Sequence, residues 1–274
     1  MNSAGCSIKA DFLEHQGRKL FYLLLQPTAT ESKGSILFLP PFAEEMHKSR
    51  RLVATQAREL ACAGYSVMLL DLTGCGDSGG DFSDASWEIW LQDAARAAEY
   101  LLGLASGPFM LWGLRMGALL ATEIAQGRSD VSRLLLWQPV LNGEQQIDQF
   151  LRLRTVATMV GSPAGFDRTS LWNELRSGRS LDIAGYTLSA SLALEMARVR
   201  LNDFTPGCPV TWMEIGISPN RSLALPSETV IAHWRAQQQR VDTAYVYGEP
   251  FWRTIDAENN QALLRDTQEY FTRS

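Results

Sequence analysis

The 274-residue chain is 46% hydrophobic and 20% charged with a net charge of −5. That is enough apolar content for one large core, and too acidic a balance for broad attraction to nucleic acid or an anionic bilayer. Four scattered cysteines (Cys6, Cys62, Cys75, Cys208) without a Cys-x-x-Cys pair argue against a zinc site or a disulfide framework and fit a reducing cytoplasm.

The first seven residues lack the basic start and apolar stretch of a signal peptide, and no uncharged apolar run approaches bilayer-spanning length. A cytoplasmic chain without a membrane span is expected. Strands are predicted over 7–12 and 19–26 as an opening hairpin, then 35–40, 66–72, 108–114 and 133–140, with helices over 48–63, 87–104 and 116–126 between them. Strands at 209–215 and 241–248 and helices at 228–238 and 257–271 close the pattern. The runs at 35–40, 67–70 and 134–137 are apolar throughout, as central parallel strands covered on both faces should be. The alternation predicts an α/β protein with a mostly parallel eight-stranded sheet flanked by helices, and a site along the C-terminal ends of the strands.

Residues 141–206 break the rhythm. They read as helices over 144–160, 170–176 and 190–201 with one extended piece at 182–188. This predicts a helical cap insertion at 141–206 over a core made of 1–140 and 207–274. Phe150, Leu151, Leu153, Val156, Met159, Leu171 and Trp172 recur at helical spacing as its inward stripe, with arginines between them.

Leu111-Trp112-Gly113-Leu114-Arg115-Met116-Gly117-Ala118 runs from a strand into a helix with glycines two residues either side of Arg115. Gly-x-X-x-Gly at such a turn is the nucleophile-elbow pattern, in which a sharp bend lifts one side chain into a pocket. Here that side chain is a guanidinium, which cannot attack a carbonyl and stays cationic. Asp71-Leu72-Thr73-Gly74-Cys75-Gly76-Asp77-Ser78 adds an Asp-x-x-Gly-x-Gly-x-Ser turn after the preceding strand.

Together these features resemble the α/β-hydrolase superfamily over essentially the whole chain. The segments Pro40 to Arg51, Gly113-Leu114-Arg115, Leu136 to Leu141, Gln149 to Arg154 and Pro250-Phe251-Trp252 resemble more closely the bacterial exosortase A system-associated hydrolase 2 group. That resemblance implies a link to exopolysaccharide and exosortase protein-sorting loci. It also implies that Asp71 anchors its loop and that the base and acid of a Ser-His-Asp triad would follow the last and seventh strands. Gly248-Glu249-Pro250-Phe251-Trp252-Arg253 has no His, and Gly216-Ile217-Ser218-Pro219-Asn220 has no Asp or Glu. Serine-type ester hydrolysis is therefore not expected.

What remains is the backbone of the bend. The amide of Met116 and one from Phe42 or Ala43 would form an anion-attracting pair at a helix start, with Arg115 beside them. Glu44 and Glu45, placed just before the helix at 48–63, are candidate internal partners for Arg115, and the cations Lys48, Arg50 and Arg51 in its first turn could help hold an anion. The expectation is a non-catalytic or repurposed binder of an anionic or amphiphilic small molecule, with Arg115, Met116, Phe42, Ala43, Glu44, Glu45 and His47 as binding residues. One alternative is hydrolysis of an ester or glycan-linked substrate using Glu44, Glu45 or His47 with Arg115; another is a protein-interaction scaffold with a closed pocket. Glu44 and His47 have Glu-x-x-His spacing, but one copy supports no metal site. Cys75 and Ser78 are substitute nucleophiles without a base nearby, and no cofactor is implied.

Overall fold

The computed structural model describes residues 5–28, 32–158, 167–218, 222–254 and 260–272. In chain order β1 (Cys6–His15) and β2 (Arg18–Pro27) form a hairpin, followed by β3 (Ser35–Leu39), α1 (Glu44–Cys62), β4 (Ser66–Leu70) and α2 (Trp87–Leu104). Then come β5 (Phe109–Leu114), α3 (Met116–Gln126) and β6 (Val131–Trp137). The segment before the next sheet strand carries α4 (Gly143–Thr158), α5 (Arg168–Arg176), the hairpin β7 (Leu181–Ile183) and β8 (Tyr186–Leu188), and α6 (Ala190–Met196). β9 (Val210–Gly216), α7 (Leu225–Ala236), β10 (Val241–Tyr247) and α8 (Gln261–Thr272) complete the chain.

The sheet has the expected eight strands, in the order β1-β2-β4-β3-β5-β6-β9-β10. The β1/β2 and β2/β4 pairs are antiparallel and every other neighbouring pair is parallel. β3 and β5 lie at its centre and are buried along their whole length, which explains why their sequences do not alternate. One face is covered by α2, α3 and the segment between β6 and β9, around Trp90, Leu111 and Trp212. The other is covered by α1 and α8, around Phe38, Trp112, Trp137 and Leu264. On that face Trp112 and Trp137 meet edge-on at 4.6 Å, an arrangement that contributes about 0.5–1.5 kcal/mol beyond area burial.

Three expectations change. α1 begins at Glu44, four residues earlier than the apolar periodicity indicates, because the chain bends sharply at Ala43 (φ 50, ψ −122) straight after β3. Glu44 and Glu45 thus occupy the first turn, where acidic groups favour the helix dipole, and Lys48, Arg50 and Arg51 fall beyond it. The extended piece at 182–188 is a two-stranded hairpin that turns on Ala184 (φ 50) and Gly185 (φ 88). The helix expected over 190–201 stops at Met196 because the chain must pair back on the residues that follow β6. There the Gly143 amide donates to the Val199 carbonyl (3.0 Å), and the Leu201 amide donates to the Leu141 carbonyl (2.9 Å).

The expected helix end at 159–160, the start of the last helix at 257–259 and the 219–220 part of the loop after β9 lie outside the described residues, as do the side chain of Val156 and all of Met159. Among the described residues no helix is long and apolar enough to cross a membrane.

Gly117 has no room for a side chain: a Cβ there would run into the carbonyls of Leu39 and Pro40. Gly117→Ala is expected to abolish soluble folding or lower Tm by 10 °C or more, on the order of the cost of overpacking a rigid core. Gly103→Ala, in α2 with nothing within 4 Å of its added methyl, should leave Tm unchanged or slightly raised. Thermal melts followed by circular dichroism check both.

Candidate functional site at the strand-to-helix bend

Arg115 sits between β5 and α3 at φ 57, ψ −118, a conformation that costs about 1–3 kcal/mol for a residue with a side chain. It persists because its surroundings fix it. Its amide donates to the Trp137 carbonyl (3.0 Å), and its carbonyl accepts from the amides of Ala118 (3.1 Å) and Val140 (3.2 Å). Gly113 and Gly117 let α3 approach this closely, since a Cβ at Gly113 would strike the Ala118 backbone. The neighbouring strand β3 ends in a matching bend at Ala43, so two helix starts face each other across the sheet edge.

The guanidinium is buried, 8% exposed, and points at Glu45, 7% exposed. Its Nη2 lies 3.1 Å from Glu45 Oε1, and its Nε donates to both carboxylate oxygens at 3.3 and 3.4 Å. Nη2 also donates to Oε1 of Gln146 (3.3 Å) and of Gln149 (3.4 Å), one turn apart on α4. The Trp252 ring, from the loop after β10, lies 5.3 Å from the guanidinium carbon. Of the two glutamates legible in the sequence, Glu45 is the partner. Gln146 carries no signal in the sequence, Gln149 falls within a resembling segment, and Trp252 lies in the loop after the last strand that lacks a histidine.

Glu44 takes a different direction. Its Oε2 is buried without a hydrogen-bond partner. Burial holds its carboxyl above the usual value of 4.5, and the adjacent Glu45 charge pushes the same way, while its own backbone amide, Lys48 and Arg115 pull it down. Tyr186 of β8 feels the Glu44 charge: burial first, then that carboxylate, pushes its phenol up to about 12. Phe42 and Met116, each 1% exposed, and Ala43, 4% exposed, are buried at the same place. Phe150 of α4 packs edge-on against Phe42 at 5.0 Å, and Phe82 links Phe42 (5.6 Å) to Tyr186 (5.1 Å). His47 is exposed on the outer side of α1 and is not gathered in with these residues.

Of the cations on α1, Arg50 turns to Asp71, with Nη2 2.7 Å from Oδ2. Asp71 also accepts from the Asp77 amide (3.0 Å), which makes it the anchor of its loop. Ser78 donates to the Asp71 carbonyl (2.6 Å) and accepts from the Phe21 amide (2.8 Å), so its hydroxyl is committed to backbone. Burial, reinforced by Asp71 and Asp93, pushes the Cys75 thiol far up and leaves it protonated. Among the described residues no cluster of three or more His, Cys, Asp or Glu side chains could hold a metal ion. A groove of about 720 Å³ opens between β9, β10 and α8, lined by Thr211, Asp242 and Tyr270 among others; Arg115 does not line it.

The family model for serine aminopeptidase S33 hydrolases matches residues 30–168, which include the bends at Ala43 and Arg115 and the whole of α4. The chain belongs to this family. Its fold is that of the α/β-hydrolases, and solved structures agree over nearly the full length. Est1E from Butyrivibrio proteoclasticus with ferulic acid bound is 18% identical with a TM-score of 0.67, covering 95% of this chain and 96% of its own. The α/β hydrolase GrgF from Penicillium sp. sh18 is 16% identical with a TM-score of 0.63 (97% and 98% covered). Alpha/beta hydrolase domain-containing protein 10 from mouse is 16% identical with a TM-score of 0.60 (96% and 98% covered). No curated protein matches the chain.

Removing the guanidinium strands Glu45 in the interior, so Arg115→Met is expected to lower stability by about 3–5 kcal/mol. Arg115→Met combined with Glu45→Leu should recover much of that loss; denaturant titration of the three variants against wild type measures it. Glu44 has the opposite sign of pH dependence from a paired carboxylate. Its folded carboxyl keeps the proton to higher pH than the unfolded one, so its contribution favours folding at low pH and fades as pH rises from 4.5 through the raised value. Glu44→Gln should therefore raise Tm at pH 7, and the gain should vanish below about pH 4.5.

Proposed function

We propose that this α/β-hydrolase-family chain is a binding protein that performs no serine-type hydrolysis, and that it recognises an anionic or amphiphilic small molecule by letting the ligand's acid group replace the Glu45 carboxylate on Arg115. The observation that carries this reading is the guanidinium itself, held at the sharp bend 3.1 Å from Glu45 and stacked on Trp252. In an enzyme of this fold a nucleophile would stand at 115 and its base in the loop that carries Trp252. An arginine there gives planar, two-toothed recognition of carboxylate or phosphate in surroundings with little competing water. The amides of Phe42 or Ala43 and Met116 complete the receptor at two helix starts.

Residues 141–206 act in this reading as a cap, with Gln146 and Gln149 holding it shut on Arg115 until ligand enters. The ferulic acid bound to Est1E, an aromatic carboxylic acid, is the kind of molecule the site would take. The resemblance of Pro40 to Arg51 and of Gln149 to Arg154 supports a place in bacterial exopolysaccharide or exosortase loci, in the cytoplasm.

A second reading, non-standard hydrolysis, is supported by Glu44 alone. A buried carboxyl with a raised pKa and one unpartnered oxygen is suited to moving a proton to or from water.

Ligand-induced melting shifts separate the two. Wild type should be stabilised by some members of a panel of aromatic and fatty carboxylates and organic phosphates. Glu45→Gln, which frees the guanidinium, should bind the same ligands several-fold more tightly, and Arg115→Met should not respond. Equal responses in all three proteins would reject the Arg115 receptor. Turnover of acyl esters by wild type that Glu44→Gln abolishes would favour the second reading. Arg115→Ser is expected to hydrolyse no ester above background, since no imidazole follows β10.

A further inference from the structure

Cys6 and Cys62 are separated by most of β1, β2, β3 and α1, yet the fold brings them together. Cys6 opens β1, is fully buried, and packs in the same core as Leu60 and Ala61 at the end of α1. Cys62 is the last residue of that helix and its thiol is exposed. The backbone of Gly5, held at φ +119, approaches so closely that a Cβ there would sit 3.3 Å from Cys62 Sγ. Cys62 lies near enough to Cys6 to push its thiol up. Pro27 pairs with Cys6 across the hairpin, and the Thr28 amide donates to the Gly5 carbonyl (3.3 Å), so the start of β1 is tied in place rather than trailing in solvent.

The geometry points to Cys6 and Cys62 as a reversible thiol–disulfide pair that clamps the first strand to the C-terminal end of α1. The exposed Cys62 attacks and the buried Cys6 resolves. In the first step the Cys62 thiolate attacks one sulfur of a low-molecular-weight disulfide such as oxidised glutathione; a mixed disulfide forms and one glutathione thiolate leaves. In the second the Cys6 thiolate attacks Cys62 Sγ and expels the second glutathione, which takes up a proton. The protein loses two electrons and two thiol protons, and the small disulfide is reduced to two thiols. Burial and then the neighbouring Cys62 push the Cys6 thiol up, with Arg58 pulling it back, so the resolving step is the slower one.

Closing a loop of this length restricts the unfolded chain, so the oxidised protein is the more stable form. The clamp also reaches the bend. α1 is one continuous helix that carries Cys62 at one end and Glu45 at the other. Cys75, partly buried, is held protonated in its loop, and burial alone pushes the enclosed Cys208 up to about 12; neither takes part.

The test incubates the full chain in glutathione buffers of increasing oxidised fraction, quenches with acid, alkylates free thiols under denaturing conditions and maps peptides by mass spectrometry. The expected result is a Cys6–Cys62 crosslink with Cys75 and Cys208 still alkylated, a Tm several degrees higher, and full reversal by dithiothreitol. Cys6→Ser should stop at glutathione on Cys62, and Cys62→Ser should not react. A wild type that accumulates only the Cys62 adduct, or that crosslinks other cysteines, overturns the pairing. A Cys6–Cys62 crosslink that dithiothreitol fails to remove from the folded protein overturns its reversibility.

Discussion

The approach of α3 to the end of β3, permitted by the bare backbone of Gly113 and Gly117, sets the position of nearly everything else at the candidate site. It forces Arg115 into a left-handed bend and turns its side chain away from the sheet, so that a cation is carried into the interior. An unpaired guanidinium there would not be tolerated, and the rest of the region reads as a response to that charge. Glu45 is presented by the matching bend at Ala43, Gln146 and Gln149 supply further acceptors from α4, and Trp252 offers the face of its ring.

Such a pair is not a reason for stability. Two buried ions gain from each other roughly what they lose in leaving water, and an apolar pair of the same shape would do as well. What the ion pair adds is selectivity for one arrangement. With donors satisfied on Glu45 and on α4 together, the segment between β6 and β9 has one seat against the bend, and the aromatic contacts from Phe42 through Phe82 and Phe150 to Tyr186 fill the space around it. The same property makes the seat exchangeable, because a ligand acid offers Arg115 the same chemistry as Glu45. Glu44, beside it, is the one acid of the first turn left with an unpartnered oxygen, so the region combines a satisfied pair with an unsatisfied neighbour.

Much of the fold was legible because local pattern and tertiary role coincide. The uninterrupted apolar runs of β3, β4 and β6 marked central strands, and α2 and α3 begin and end where periodicity puts them. Where the two diverged, a long-range constraint decided. α1 starts early because Ala43 bends, which an alanine does not advertise, and α6 stops early because the chain pairs back on Leu141 and Gly143. Glu44 and His47 have Glu-x-x-His spacing, yet three residues fall about 60° short of a full helical turn, and His47 is exposed where Glu44 is partly buried.

From composition and order alone follow the α/β alternation, the glycine-flanked bend and the guanidinium at its tip, since each is written in residues adjacent along the chain. The choice of Glu45 over Glu44, the seating of Gln146, Gln149 and Trp252 around Arg115, and the meeting of Cys6 with Cys62 belong to the folded state. Glu45 is 70 residues from Arg115, and no spacing rule reaches that far. Such contacts exist only once a twisted sheet has brought the ends of its strands to one edge and laid a single helix across its face.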